Sequence, residues 1–385
     1  MSNKQILLNI ITSLYIPYIF LGMKFLQVDV YGDDETIHSY NSMIGLAINI
    51  LMWLFVLTSK KPLNKVFLYK AIGAWTFLII IQTFITGTSV LRSFITLHYV
   101  TFWCANFLFF YTINSCYPEY KNLILKRMVF LVGVAILSYW YVFNSRLSLL
   151  GFVGDGVNIS YFLVAMTPWI MLISDDKKVL RNLLLIICAI SVLASVKRTA
   201  IIAFILILFV YIVFSNSRRV SFQKLFGIVA VAVFSVFAFV YIDQTFLEGS
   251  VTNRFLLFDD GMGKRDEIKV VSMSLYSQSD TFSQLVGHGY NSLIVDSPLD
   301  LSAHNDYIET LYDHGAIMLV LEILIVIGLC NYMFKFFKNG DARFGALASR
   351  VIVFGIMSYS SHMLLYPYYF IFMTALWGYI VGLTH

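Results

Sequence analysis

The stretch HNDYIETLYDHGAIMLVLEILIVIGLCNYMF, His304 to Phe334, decides the fold. Its first part, 304–314, is polar, and from Gly315 onward Glu322 is the single charged residue. As a helix rising about 1.5 Å per residue, the run 315–334 matches a hydrocarbon layer roughly 30 Å thick. Apolar residues fill 59% of the 385 positions and charged ones 13%, with Phe 34 and Tyr 24. That composition is far from a water-soluble globular protein. Comparable runs predict about twelve spans: 6-26, 42-59, 67-86, 97-115, 128-145, 157-174, 182-196, 199-214, 225-242, 315-334, 344-363 and 367-383. Their length excludes a β-barrel, whose strands alternate polar and apolar over about ten residues. The expectation is an all-α polytopic membrane protein, one integral membrane domain over 1-385.

Every second connector is basic: Lys60, Lys61 and Lys65; Lys121, Lys126 and Arg127; Lys177, Lys178 and Arg181; Arg218, Arg219 and Lys224; Lys335, Lys338 and Arg343. This alternation is a positive-inside signal and predicts cytoplasmic termini, with 243-314 as one large outer loop between spans 9 and 10. The net charge of +5 is then a topology signal and calls for no nucleic-acid partner. Lys4 alone precedes the first span, and no small-residue cleavage pattern follows Leu26, which favours an uncleaved helix.

Cys104, Cys116, Cys188 and Cys330 lie in or beside spans without zinc or disulfide spacing. Neither a phosphate loop nor a dinucleotide-binding glycine turn is present, so no cofactor is expected. The outer loop carries twelve of the 22 acidic residues, with Arg254, Lys264, Arg265, Lys269, His288 and His304. Loops this long are functional or disordered. Apolar residues at 268, 270, 271, 273 and 275 predict an amphipathic helix over 265–275, and Gly287-His288-Gly289 a turn. A second helical pattern begins at His304, placing that histidine in the first turn. Tyr307, Ile308, Leu311 and Tyr312 would share one face, and Asp306, Glu309 and Asp313 the other.

Lys197-Arg198 sits between two apolar runs on the outer side, where positive charge is normally depleted. A guanidinium fork there suits a lipid-linked phosphate or diphosphate, the alternative being a side chain that snorkels to the headgroups. Glu322 is functional or hydrogen-bonds a neighbouring helix. Arg350 is expected to snorkel, His362 and Tyr366-Pro367-Tyr368-Tyr369 to form an aromatic belt, and Asp33, Asp34 and Glu35 to be solvated.

Three places together resemble the O-antigen polymerase and O-antigen ligase superfamily of bacterial envelope glycosyltransferases. Val196-Lys197-Arg198-Thr199-Ala200 resembles its Ser-Arg-small motif opening a helix. Lys264-Arg265-Asp266-Glu267-Ile268 followed by Gly287-His288-Gly289 resembles its outer-loop arginine helix and glycine turn. His304-Asn305 followed by Gly315 resembles its His-Asn motif ahead of a membrane-returning helix. Departures are Lys197 in place of serine, Met318 in place of a second glycine and Lys269 in place of an aromatic residue.

The resemblance implies a GT-C-like scaffold in the bacterial inner membrane, with a periplasmic active site that moves a glycan from undecaprenyl diphosphate to a sugar hydroxyl with inversion. His304 would be the general base, and Arg198 and Arg265 would stabilise the departing diphosphate without a metal. Lys197, Asn305, Glu309, Arg254, Tyr307 and His288 are the candidate substrate contacts. Partners would be the lipid-linked glycan donor, the glycan acceptor, the bilayer and a chain-length-regulating co-polymerase. The same donor chemistry serves a polymerase, which extends lipid-linked repeat units, and a ligase, which transfers the chain to lipid A-core. The missing second glycine favours the polymerase. A lipid-linked glycan transporter is the reading from another class. It expects mid-membrane charges, broken helices or repeated halves, whereas most charges here sit at the outer edge and the chain has 6 prolines.

Overall fold

The computed structural model describes residues 3–27, 35–59, 66–86, 90–150, 158–214, 241, 244, 259–298, 302–360, 363–364 and 367–384. Regular structure among them is entirely helical. In chain order the helices are α1 (Asn3–Phe25), α2 (Glu35–Thr58), α3 (Phe67–Ile85), α4 (Val90–Cys116), α5 (Lys121–Leu150), α6 (Ser160–Ile170), α7 (Lys178–Ala194) and α8 (Arg198–Phe214). After residues outside the description come α9 (Asp259–Gln278), α10 (Thr281–Val286), α11 (Ser292–Asp296) and α12 (Asp306–Glu309). A π-turn, Thr310–His314, joins α12 to α13 (Gly315–Asn339), which is followed by α14 (Arg343–Ser360) and α15 (Pro367–Gly382).

Among the described residues, five stretches are long and apolar enough to cross a membrane: Asn3–Phe25, Thr36–Thr58, Phe67–Ile85, Pro118–Leu149 and Asp306–Asn339. The chain is therefore an all-α protein with membrane-spanning helices. Ser160–Ile170, Arg198–Phe214 and Tyr368–Gly382 are shorter apolar helices. The expected span 225-242, except Tyr241, lies outside the described residues, as do 243 and 245–258 of the expected loop.

Between apolar helices in lipid, close van der Waals packing replaces the hydrophobic driving force, so small residues mark the tightest crossings. Gly378 and Gly382 do this between α15 and α4: a Cβ on Gly378 would lie 2.3 Å from the Phe107 carbonyl oxygen, and one on Gly382 2.7 Å from that of Tyr111. Helices α8 and α14 pack antiparallel, with Phe214 and Phe344 in edge contact at 4.8 Å between ring centroids. Their other termini, Arg198 and Ser360, consequently share the opposite end of the bundle. Helices α9 to α12 cover that end around a small core of Ile268, Leu293, Ala303 and Tyr312.

One expectation is corrected, and one helix face is given its direction. Arg350 does not snorkel: it is fully buried, and its Nη2 donates to the Phe372 carbonyl at 3.4 Å. The polar face of the segment after His304 is the inward one. Asp306, Glu309 and Asp313 are each 1% exposed, whereas Tyr307, Ile308 and Leu311 are only partly buried. Periodicity separates the carboxylates from the apolar residues without saying which face is buried; backbone amides from distant segments receive Asp306 and Asp313.

Candidate active site

Asn305 is the N-cap of α12: its side-chain oxygen accepts from the Tyr307 and Ile308 amides at 3.1 and 3.2 Å. Its Nδ2 donates to the Tyr359 carbonyl at 3.3 Å, which ties the cap to the end of α14. His304 therefore precedes the helix and does not occupy its first turn. It has φ +49, a left-handed conformation rare outside glycine, though histidine adopts it more readily than most. The backbone amides of Ala303 and His304 donate to the buried Glu309 carboxylate, so the helix behind the histidine holds its strained backbone in place. Asp306 accepts from the Met363 amide at 2.8 and 3.0 Å and from the Leu364 amide at 3.2 Å. The His304 side chain is partly exposed.

Below this turn the chain leaves α-helical geometry for the π-turn, and such insertions recur at functional sites. Asp313 accepts from the Asn291 and Leu293 amides at 2.6 and 2.8 Å. Gln82, a buried amide near the end of α3, donates to the carbonyls of Val286 and Asp313 at 2.6 and 2.7 Å. Its Oε1 lies 2.9 Å from Nδ1 of the buried His314. One side chain thus fixes the π-turn and the α10 terminus to the bundle. His288 is similarly engaged: its ring stacks on Tyr312 at 4.2 Å, Nε2 lies 3.1 Å from the Ser279 hydroxyl, and Nδ1 lies 3.1 Å from the Tyr312 carbonyl. Its position is that of a brace in the turn.

Lys197 and Arg198 follow Val196, which has φ +52, costly for a β-branched residue. The Ser195 hydroxyl accepts from the Lys197 amide at 3.3 Å. The Lys197 ammonium lies 5.7 Å from the Tyr161 ring centroid. Arg198 opens α8 and is partly exposed. At the same end, Lys269 of α9 lies over the Tyr359 ring at 4.8 Å and pairs with Asp266 at 3.5 Å. Arg265 belongs to α9, and the description covers its backbone only; Arg254 and His362 lie outside the described residues. Tyr307 is partly buried on α12. Glu322 is buried on α13 beside Thr310, within electrostatic range of Asp306 and Tyr307.

The structure thus brings His304, Asn305 and Glu309 into one turn, places Lys197-Arg198 at the same end through the α8–α14 packing, and engages His288 and Asp313 in the fold. Sequence reasoning missed Gln82, Asp306, His314 and the Val196 conformation. Gln82 carried a usable signal, a lone amide in the apolar run Ile79-Ile80-Ile81-Gln82. Chemically, the end presents a partly exposed imidazole on a strained, hydrogen-bonded turn together with cations fixed at a helix start. Compared with known proteins, the chain matches no protein-family model, and no curated protein is significantly similar to it.

Proposed function

We propose that this protein is an inverting glycosyltransferase that polymerises undecaprenyl-diphosphate-linked repeat units into O-antigen or a related surface polysaccharide at the periplasmic face of the bacterial inner membrane. The observation that carries the proposal is the His304 turn. A left-handed histidine, held through its backbone by Glu309 and followed by the Asn305 cap, sits at the bundle end that also carries Lys197-Arg198. Strain retained at a partly exposed histidine points toward function. In the twelve-span topology this end faces outward, and 243-314 forms the loop above it.

In the reaction, the acceptor hydroxyl oxygen attacks the anomeric carbon of the donor on the face opposite the diphosphate. His304 takes the hydroxyl proton as the new C–O bond forms. The old bond breaks with its electron pair retained on the diphosphate oxygen, where Arg198 and Arg265 balance the growing charge. The configuration at the anomeric carbon inverts, and undecaprenyl diphosphate departs.

The test is a lipopolysaccharide gel of the host strain with the gene deleted, complemented by wild type or His304→Ala at matched expression. A ladder restored by wild type and collapsed to core plus one repeat unit in the variant supports the polymerase. Bare core with accumulating lipid-linked polymer would make the protein a ligase instead, and a normal ladder in the variant would remove His304 from the chemistry.

A further inference from the structure

On the side of the bundle formed by α1, α2, α4 and α15, the described residues carry a row of aromatic rings with polar edges. Tyr290, in the loop before α11, lies 6.5 Å from His314 of the π-turn between ring centroids. It stacks on Tyr99 of α4 at 6.5 Å and 22°. Tyr99 in turn lies 6.5 Å from Tyr368 at the start of α15. The hydroxyl of Tyr99 is 3.0 Å from that of Ser42, and the hydroxyl of Tyr368 is 3.2 Å from Nδ1 of His38. Tyr290, Tyr99 and His38 are partly exposed, so the row begins open and becomes buried at Tyr368.

At its buried end stands Asn41. It is 0% exposed, and neither side-chain atom has a hydrogen-bond partner among the described residues. A Cβ on Gly22 would lie 3.5 Å from the Asn41 amide nitrogen and 3.6 Å from the Tyr368 ring, which places both side chains beside Gly22. Burying an amide without hydrogen bonds is costly, so the Asn41 donor and acceptor suit a polar ligand. The row itself offers ring faces, hydroxyls, an imidazole and an amide, and none of these named groups carries the fixed charge found at Lys197-Arg198. Aromatic faces cover the C–H surface of a sugar ring while rigid polar edges bond its hydroxyls.

We propose that the row Tyr290–Tyr99–Tyr368, with His38 and Asn41, binds an uncharged sugar unit of the acceptor glycan, on a surface separate from the cationic residues that engage the donor diphosphate. The choice of ligand rests on the glycan-transfer reading. His304 lies at the end of the bundle where α14 ends and α15 begins with Tyr368, tied there by the Asn305 bond to Tyr359, the placement a base needs to serve an acceptor hydroxyl.

The experiment uses full-length protein in nanodiscs. The probe is the repeat-unit oligosaccharide released from the host's lipid-linked intermediate by mild acid, followed by saturation-transfer NMR and by titration. Wild type and Arg198→Ala should bind it alike, whereas Tyr290→Ala and Tyr99→Ala should weaken binding at least tenfold. Tyr99→Phe, which keeps the ring, should recover most of it. Elution as a single monodisperse peak and an unchanged helical circular dichroism signal check that each variant is folded. Equal binding by wild type and both alanine variants overturns the inference while leaving the transferase reading intact. Absence of probe binding to wild type overturns the inference, and the gel of the preceding subsection then decides separately whether the transferase reading falls with it.

Discussion

Gly287 and Gly315 pack into each other's turns, so that a side chain on either would collide with the backbone at or just before the other. A Cβ on Gly315 would lie 2.6 Å from the Gly287 nitrogen and 2.4 Å from the Leu285 carbonyl oxygen, and one on Gly287 would lie 2.4 Å from the Asp313 carbonyl oxygen. Both have φ near +85 and extended ψ, at 89/171 and 80/169, a region open essentially to glycine. The contact locks the turn after α10 against the start of α13, and the π-turn leading back to His304 is held between them.

Gly287→Ala and Gly315→Ala are accordingly expected to destabilise the protein by roughly 2–5 kcal/mol each, from backbone strain and overpacking. Gly133→Ala in α5 is the control. A Cβ there meets nothing within 4 Å, and the change should be neutral or stabilise by about 0.5–1 kcal/mol. Thermal unfolding in detergent, read by intrinsic fluorescence, separates the two classes.

Gln82→Leu removes three hydrogen bonds, taking this partner from the buried His314 ring and the Val286 carbonyl, while the Asp313 carbonyl keeps the Gly289 amide at 2.8 Å. A loss of about 2–4 kcal/mol is expected, concentrated at the His304 end. Hydrogen–deuterium exchange should speed up across 283–293 and 310–315 and stay unchanged in α1 and α2. Uniform acceleration along the chain would show that Gln82 has no local role.

Asn305→Asp preserves a side-chain oxygen for the Tyr307 and Ile308 amides but loses the donor to the Tyr359 carbonyl; Asn305→Ala loses both. The alanine variant should cost about 1 kcal/mol for the cap alone, and the aspartate variant less. Polymer yield should follow the order wild type, Asn305→Asp, Asn305→Ala.

Asp280 caps α10, and hydrogen bonds from the Ser283 side chain and amide hold its carboxyl below the ordinary carboxylate value. Because the folded-state value is the lower one, its stabilising contribution is present above the unfolded value, about 3.9, and is lost as pH falls through the folded value. Asp280→Asn, which caps without titrating, should flatten the acid-side change in amide exchange of 281–286. An unchanged acid limb would assign it to other carboxylates.

How much was legible follows from the range of the interactions. Continuous apolar runs are local, so α3, α8, α13 and α15 begin where the sequence places them, at Phe67, near Thr199, at Gly315 and at Pro367. The amphipathic helix over 265–275 lies within α9, and the glycine turn at 287–289 follows α10. The orientation of α12 was illegible because the partners of Asp306 and Asp313 are the amides of Met363, Leu364, Asn291 and Leu293, distant in sequence. A carboxylate met by such amides is buried, and its own periodicity gives no hint of this. Arg350 failed for the same reason: its bonded carbonyl belongs to Phe372 on the next helix. His304, Asn305 and Gly315 stand out in the sequence only by resemblance, and the positive φ of the histidine and the Glu309 bonds behind it emerge only in three dimensions.

The most direct measurement is polymerisation by the purified protein in nanodiscs, given the lipid-linked repeat unit alone and compared with folded His304→Ala. Wild type should convert it into a ladder of longer lipid-linked products and release one undecaprenyl diphosphate per bond formed, and the variant should bind the substrate but lose at least a hundredfold in rate, within the contribution of about 10²–10⁴ typical of general base catalysis. No elongation by wild type, or equal elongation by the variant, would contradict the account.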